Sequence, residues 1–366
     1  MDNQTFIERL RQQLTTRGVA VVIVESFFMI LINLTTFFGN LLVLLAVFRN
    51  PRLRQNILNW YIIGLAMSDL LMSLLGIPYS AASTVTGSWV FGHFLCQGQG
   101  FFVLLLCAVS LQTLALTAIN RYFRTTRSNA VYSKYFTVKS TKITIAVLWI
   151  AAFLAPLPYV LMEQEFFFHP GKVFCTHNFD TLVGGYGAVL VLAYVTIPFI
   201  IIIFCYSKVL ICVRRHNSNF RVHASTDNES TSLRLSVEEI NITWTLMAVV
   251  FGFFVCWTPV VVIDLIDFVN GDWKLPRQIY LSYTCFGFSS TAINPFIYGV
   301  MNRQFRVEYY KILPFIKTCT SRGSLNAIQS AGIDDAEKRK PSQLRNTQDA
   351  QELKMGTKAE VVEIEN

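Results

Sequence analysis

The chain has 366 residues, 53% hydrophobic and 14% aromatic but only 15% charged, with a mean hydropathy of +0.44. Soluble chains carry about 25% charged residues, so an ordinary soluble domain is excluded. The formal net charge is +8, but the basic residues are spread through short segments between long apolar runs, which excludes nucleic acid as the partner and favours a membrane.

A bilayer core of about 30 Å takes about 20 apolar residues per helix. Runs of that length cover residues 20–48, 57–82, 94–119, 140–161, 182–212, 240–268 and 277–301. They lack the period-two alternation of barrel strands and read as helices. The expected fold is all-α, a seven-transmembrane helix bundle over 20–301. It is preceded by an extracellular N-terminus (1–19) and followed by a short amphipathic interfacial helix (302–315) and a disordered cytosolic tail (316–366). Prolines 78, 156, 158, 198, 259 and 295 lie inside the runs. Membrane helices tolerate them because neighbouring groups re-satisfy the freed carbonyls.

The first 18 residues hold Glu8, Arg9, Arg11 and Arg17 and no short apolar core before a cleavage site, so no cleaved signal peptide is expected. Asn3-Gln4-Thr5 fits a glycosylation acceptor. The same pattern at Asn33, Asn228 and Asn241 falls in spans or on the cytosolic side. The segment after the first span carries Arg49, Arg52 and Arg54. That after the third carries Arg124, Arg127, Lys134 and Lys139, and that after the fifth Arg214, Arg215, Arg221 and Arg234. The alternate segments hold only Lys172, Lys274 and Arg277. The positive-inside rule then sets the N-terminus outside and the C-terminus in the cytosol, at the plasma membrane.

Asp69 in the second span is the one deep carboxylate, with no Lys or Arg at its level. Polar groups in a bilayer face the bundle interior, where Asn40, Ser110, Trp257, Ser290 and Asn294 also lie. Asp69 is thus protonated or bound to a small cation; the plain alternative is a satisfied network that only joins helices. In the third span Cys96, Gln99, Val103, Cys107, Ser110, Leu114, Thr117 and Arg121 share one face. From Cys96 to Arg121 the rise is about 37 Å. Cys96 begins that span on the outer side and Cys175 lies in the next outer loop, so a disulfide between them is expected. Arg121 stands at the cytosolic boundary, level with Glu239 at the start of the sixth span. A pair there ties the two spans, and its release lets the sixth swing out. Segment 213–236 is polar and reads as a cytosolic loop. Phe305, Tyr309, Ile312 and Leu313 have helical spacing, which suits an interfacial helix on lipid. Cys319 beyond it is a palmitoylation candidate, and Thr318, Thr320, Ser321, Ser324 and Ser330 are phosphate acceptors in the tail.

Taken together, Gly39-Asn40, Leu65-Ala66-Met67-Ser68-Asp69, Cys96, Asn120-Arg121-Tyr122, Trp149, Pro198 with Tyr206, Phe253-x-x-x-Trp257-x-Pro259 and Asn294-Pro295-x-x-Tyr298 followed by Phe305 resemble the rhodopsin-like (class A) G-protein-coupled receptors. The resemblance covers residues 20–315. It implies a receptor, not an enzyme, that binds an extracellular ligand in the outer bundle and activates a heterotrimeric G protein by outward movement of the sixth helix. Arrestin and a receptor kinase are implied as further partners. Asp69, Ser110 and Asn294 look like the family's sodium pocket, with Trp257 and Ser290 beside it. Arg121 and Glu239 look like the resting-state pair, Tyr206 and Tyr298 like tyrosines that move inward, and Phe253, Trp257 and Pro259 like the transmission element. Asn120 departs from the family's usual Asp, which weakens the expected resting lock and raises basal signalling.

Expected pocket residues are Gln99, Val103, Leu104, Cys107, His177, Leu190, Tyr194, Trp257, Val260, Val261, Asp264, Tyr280, Thr284 and Phe288, a largely apolar set. Val103 stands where amine receptors have Asp, so a biogenic amine is not expected. Phe288 stands where opsins have their retinal lysine, so no retinal is expected, although Gly87-Ser88-Trp89-Val90-Phe91-Gly92 looks opsin-like. Asn-Arg-Tyr and Tyr135-Phe136-Thr137 look closer to melatonin-like receptors, which typically have Asn-Ala where this chain has Asn294-Pro295. The acidic residues Asp264, Asp267, Asp272, Glu163 and Glu165 read as solvated rim charges, or as a surface that steers a cationic peptide. A neuropeptide receptor and a constitutively active receptor are therefore the alternatives within the class. A transporter or channel would show repeats and several intramembrane charges. A membrane enzyme would show a Ser/His or paired-Asp arrangement. The five histidines fall in loops or at helix ends.

Overall fold

The computed structural model describes residues 3–161, 165–177, 190–222, 237–270 and 273–313. Helix α1 is Asn3–Thr15 and α2, the first span, is Val19–Arg49. The short α3 (Pro51–Gln55) leads into the second span, α4 (Ile57–Leu75) and α5 (Ile77–Thr86). The third span, α6 (Gly92–Thr126), is followed by α7 (Asn129–Tyr135). Helices α8 (Val138–Phe153) and α9 (Leu157–Leu161) make the fourth. Strands β1 (Phe167–His169) and β2 (Phe174–Thr176) then form an antiparallel hairpin. A π-helical stretch, Val191–Thr196, runs into α10 (Ile197–Val222), the fifth span. The sixth and seventh are α11 (Val237–Asn270) and α12 (Arg277–Met301), and α13 is Arg303–Ile312. Residues Met1–Tyr309 form one compact unit; Tyr310–Asn366 form a second, of which only the end of α13 and Leu313 are described.

Six of the spans are long and apolar enough to cross a membrane. The seventh, α12, is more polar, yet its 25 residues rise about 37 Å. The fold is the all-α seven-helix membrane bundle expected from the apolar runs. Phe27, Phe38, Ile150, Phe251 and Val300 point outward, where lipid would meet them, while Leu106, Val109, Leu114 and Ala118 of α6 are buried at the centre.

The breaks have local causes. Pro78 sits in the first turn of α5, and its missing N–H and its ring stop α4 at Leu75. Pro156 and Pro158 do the same beyond α8. Pro198 offers no N–H to the preceding turn, which widens to π geometry over Val191–Thr196. Pro259 and Pro295 stay inside their helices. A Cβ on Gly39 would lie 2.8 Å from Pro295 Cγ, so only glycine lets α2 and α12 approach this closely. Asn302 starts α13 by accepting from Gln304 N at 3.0 Å.

The structure adds α1 to the segment expected only as an N-terminus. Its Leu10 packs on Ile263, Trp273 and Tyr280, and Leu14 on Val173 and Leu281. Arg17, just past α1, reaches Glu25 at 2.5 Å and Thr84 O at 2.6 Å. Arg277 closes on the same Glu25 from α12.

Candidate functional site

Three polar layers lie along the bundle, the first of them at the disulfide end. Cys96 of α6 and Cys175 of β2 form the disulfide that their placement led us to expect. Gln99, one turn on, accepts from Cys175 N at 2.9 Å and donates to Gly76 O at 2.9 Å and Ser80 Oγ at 3.0 Å. It thus ties the hairpin to the break in the second span. A Cβ on Gly100 would lie 2.3 Å from the Phe166 ring, so the bare backbone there makes room for that ring.

Beneath the hairpin is a cavity of about 190 Å³. Of the residues expected around it, Val103, Leu104, Cys107, His177, Leu190, Tyr194, Trp257 and Asp264 line it, and Phe253 lies at its floor. The others are placed elsewhere. Val261 is 44% exposed on the outer face of α11, and Val260 is buried. Tyr280 donates to Asp267 at 2.7 Å. Thr284 donates to Lys172 O at 2.5 Å. Phe288 is buried among Met29, Met72, Ile77 and Leu106.

Sequence reasoning missed the aromatic wall of Phe166, Phe174 and Tyr283, and also Lys172. A charged residue between two spans reads as solvated, yet Lys172 is 2% exposed. Its ammonium lies 3.2 Å from Asp264 Oδ1 and 4.1 Å from the Tyr283 ring centroid, and Tyr283 donates to Asp264 Oδ2 at 3.2 Å. Asp264 and Asp267 are therefore engaged and not free rim charges. Glu165 faces His93 at 3.3 Å on the surface; Asp272 and Glu163 lie outside the described residues. His169 accepts from Gly171 N and Lys172 N through Nδ1. Burial, then the Lys172 charge, holds it well below the usual histidine range. The same causes lower His177 to about 4. Both are neutral at pH 7.

In the middle layer Asp69 Oδ2 accepts from Asn294 Nδ2 at 2.8 Å, and Asp69 Oδ1 is buried without a hydrogen bond of full geometry, the Ser110 hydroxyl being the carboxylate's second polar neighbour. Ser110 Oγ lies 3.1 Å from Ser68 Oγ. Trp257 Nε1 donates to Ser290 Oγ at 3.1 Å, and its ring stacks on Phe253 with centroids 5.3 Å apart. Asn40 donates to Thr36 O and Thr291 O at 2.9 and 3.0 Å.

At the opposite end Arg121 Nη1 meets Glu239 Oε2 at 2.9 Å, which pairs α6 with α11. Arg124 meets Glu239 Oε1 at 2.9 Å. Asn120 donates to Tyr132 OH at 3.1 Å, and Tyr122 packs on Phe204. Tyr206 and Tyr298 border one void of about 10 Å³, which is room for roughly one water. Tyr298 also stacks on Phe305 of α13. The side chain of Asn3 and the whole of Cys319 lie outside the described residues.

These three layers sit in the order of a membrane signalling receptor. The chain matches the 7 transmembrane receptor (rhodopsin family) model over residues 39–298 and belongs to that family of G-protein-coupled receptors. It is accordingly a multi-pass membrane receptor and not an enzyme. Melatonin receptor type 1B-B of Danio rerio is 29% identical over 302 residues, which are 80% of this chain and 84% of that one. Melatonin receptor type 1A of Mus musculus is 27% identical over 323 residues, 87% of each chain. The crystal structure of squid rhodopsin superposes with a TM-score of 0.71 at 23% identity, covering 83% of this chain and 88% of that one, which speaks for the fold.

Proposed function

We propose that this receptor binds an uncharged small molecule in the cavity beneath the hairpin and activates a heterotrimeric G protein at the opposite end by outward movement of α11. The disulfide end and the N-terminus face outside the plasma membrane, because the arginine-rich connections lie at the other end. One observation carries the reading. Helix α11 lines the cavity with Trp257 and Phe253 and, about 27 Å further along, holds Arg121 with Glu239. Pro259 sits within that helix and loosens it on the cavity side, so a ligand against Trp257 works on the same rigid segment that ends at the ion pair.

The chemistry of the cavity favours a neutral ligand. Among the described residues its one carboxylate, Asp264, already has Lys172 and Tyr283 as partners, and Val103 leaves α6 without a counter-ion for an amine. The same pairing speaks against steering of a cationic peptide. The named relatives are melatonin receptors, and melatonin, an uncharged indole amide, is the first probe. In the middle layer Asp69, Ser110 and Asn294 would hold a sodium ion. The under-bonded Asp69 Oδ1, beside the Ser110 hydroxyl, is an oxygen such an ion fits, and the ion would supply the positive charge that no side chain there offers.

The test is nucleotide exchange by separate G-protein families on receptor vesicles, with melatonin and a panel of neutral amides. Exchange with at least one family, raised by a neutral compound, is expected, and Arg121→Ala should abolish it with surface expression intact. Undiminished exchange by Arg121→Ala would overturn the mechanism.

A further inference from the structure

Asn120 removes the carboxylate that would sit beside Arg121 on α6, so the resting arrangement has to find its stability elsewhere. The structure gathers several groups around that gap. Glu239 of α11 receives two arginines from α6, Arg121 on Oε2 at 2.9 Å and Arg124 on Oε1 at 3.0 Å from Nε and 2.9 Å from Nη2. Arg124 uses a third nitrogen, Nη1, to donate to Asn129 Oδ1 at 3.2 Å, and its guanidinium lies 5.1 Å from the Tyr132 ring centroid. Tyr132 in turn accepts from Asn120 and stacks on Phe136 with centroids 5.1 Å apart. Helix α7, which carries Asn129 and Tyr132, is therefore joined to the lock through Arg124.

We infer that Arg124 is a positioning residue of the resting lock: with Arg121 it clamps Glu239 from both oxygens, and it transmits the placement of α7 to α11. The carboxylate that the family places at position 120 is replaced by a second cation on the far partner. An aspartate there would hold Arg121 within α6. Arg124 instead adds to the bond between α6 and α11, the contact that has to open. An arginine suits this task because its planar fork grips a carboxylate while its face lies on an aromatic ring. Rotation of α7 would pull Arg124 away with Asn129 and Tyr132 and so loosen Glu239. A partner that seats on α7 thus acts on the lock from the side opposite the ligand.

This inference rests on the reading of Arg121 and Glu239 as the resting lock, so the experiment separates the two. Full-length receptor in phosphatidylcholine nanodiscs is compared as wild type, Glu239→Gln, Arg124→Gln, Arg124→Lys and the Arg124→Gln/Glu239→Gln double variant. One readout is basal nucleotide exchange on added heterotrimer. The other, independent of any G protein, is amide hydrogen exchange over residues 239–245. Arg124→Gln should raise both about two- to fivefold, the range of a half-exposed ion pair. Arg124→Lys, which keeps the charge but not the fork, should return only part of the way to wild type, and Arg124→Gln should add nothing once Glu239 is neutral. If Glu239→Gln opens the helix and Arg124→Gln does not, the clamp is refuted and the lock stands. An equal effect of Arg124→Gln with and without the Glu239 carboxylate also refutes it. No change in Glu239→Gln removes both readings.

Discussion

Asp69 has one oxygen on Asn294 and another that makes no hydrogen bond of full geometry, with only the Ser110 hydroxyl beside the carboxylate, deep in an apolar bundle. A buried acceptor short of its hydrogen bonds costs up to roughly 1–3 kcal/mol, which a bound cation would offset. Asp69→Asn should therefore abolish any difference in thermal unfolding between sodium chloride and choline chloride, while the parent unfolds at a higher temperature in sodium. Equal melting of the parent in both salts would defeat the sodium site. Asp69, like Asn294, was legible in the sequence because a polar residue inside an apolar run has few explanations other than a bundle-facing role, and Arg121 was legible from its level with Glu239 at the cytosolic boundary. Lys172 and Arg277 were not. One stands between spans and the other at the very start of a span, where a charge reads as solvated, yet both are 2% exposed, because the hairpin turn carries Lys172 onto Asp264 and Arg277 reaches Glu25 of α2. Burial of that kind depends on contacts between distant segments, and no local pattern carries it. Val261 fails in the reverse direction. Spacing on a helix sets its angle relative to Trp257 only approximately, and Pro259 lies between them.

The spans were legible as elements, since length and hydropathy are one-dimensional, but the prolines, read as tolerated within continuous runs, instead break the second and fourth spans and distort the fifth. Helix α1 left a fainter sign: Phe6, Ile7, Leu10 and Leu14 have helical spacing, but charges surround them. Its fastening is a buried triad. Arg17 and Arg277 share Glu25, with side chains 4%, 2% and 11% exposed. Removing the shared carboxylate leaves two buried cations unpaired, a change that typically costs about 3–5 kcal/mol. Glu25→Gln should lower the melting temperature of the purified receptor in proportion, and replacing an exposed residue such as Glu8 should not. The hairpin makes a second prediction. His177 titrates at about 4 when folded against about 6.5 when released, and His169 is depressed as well. The released hairpin binds protons more readily, so its packing is fully stable above about pH 6.5 and weakens as pH falls towards 4. Amide exchange over residues 167–176, corrected for the intrinsic rate, should rise through that window. His169→Gln with His177→Gln should flatten the rise.

At the scale of the whole molecule, the middle layer and the Arg121–Glu239 pair are features of one packing of the helices. Asn294 binds Asp69 and is followed by Pro295, which meets Gly39, and by Tyr298, which borders the same void as Tyr206. Tyr206 lies on α10, which packs against α6, and is an electrostatic neighbour of Arg121. If a sodium ion at Asp69 favours the packing in which Glu239 holds Arg121, linkage requires the converse: whatever opens the pair must weaken the ion. The size of the effect is bounded by the same coupling in both directions, typically about 1–3 kcal/mol or 5–150-fold in affinity. Glu239→Gln should therefore raise the sodium concentration needed for half of the thermal stabilisation, by at least about fivefold, although the substitution touches no residue of the middle layer. Nucleotide-free G protein added to the parent should produce the same displacement. An unchanged sodium midpoint in Glu239→Gln, with the sodium effect itself present, would mean that the two layers open independently and that α11 is not the common lever.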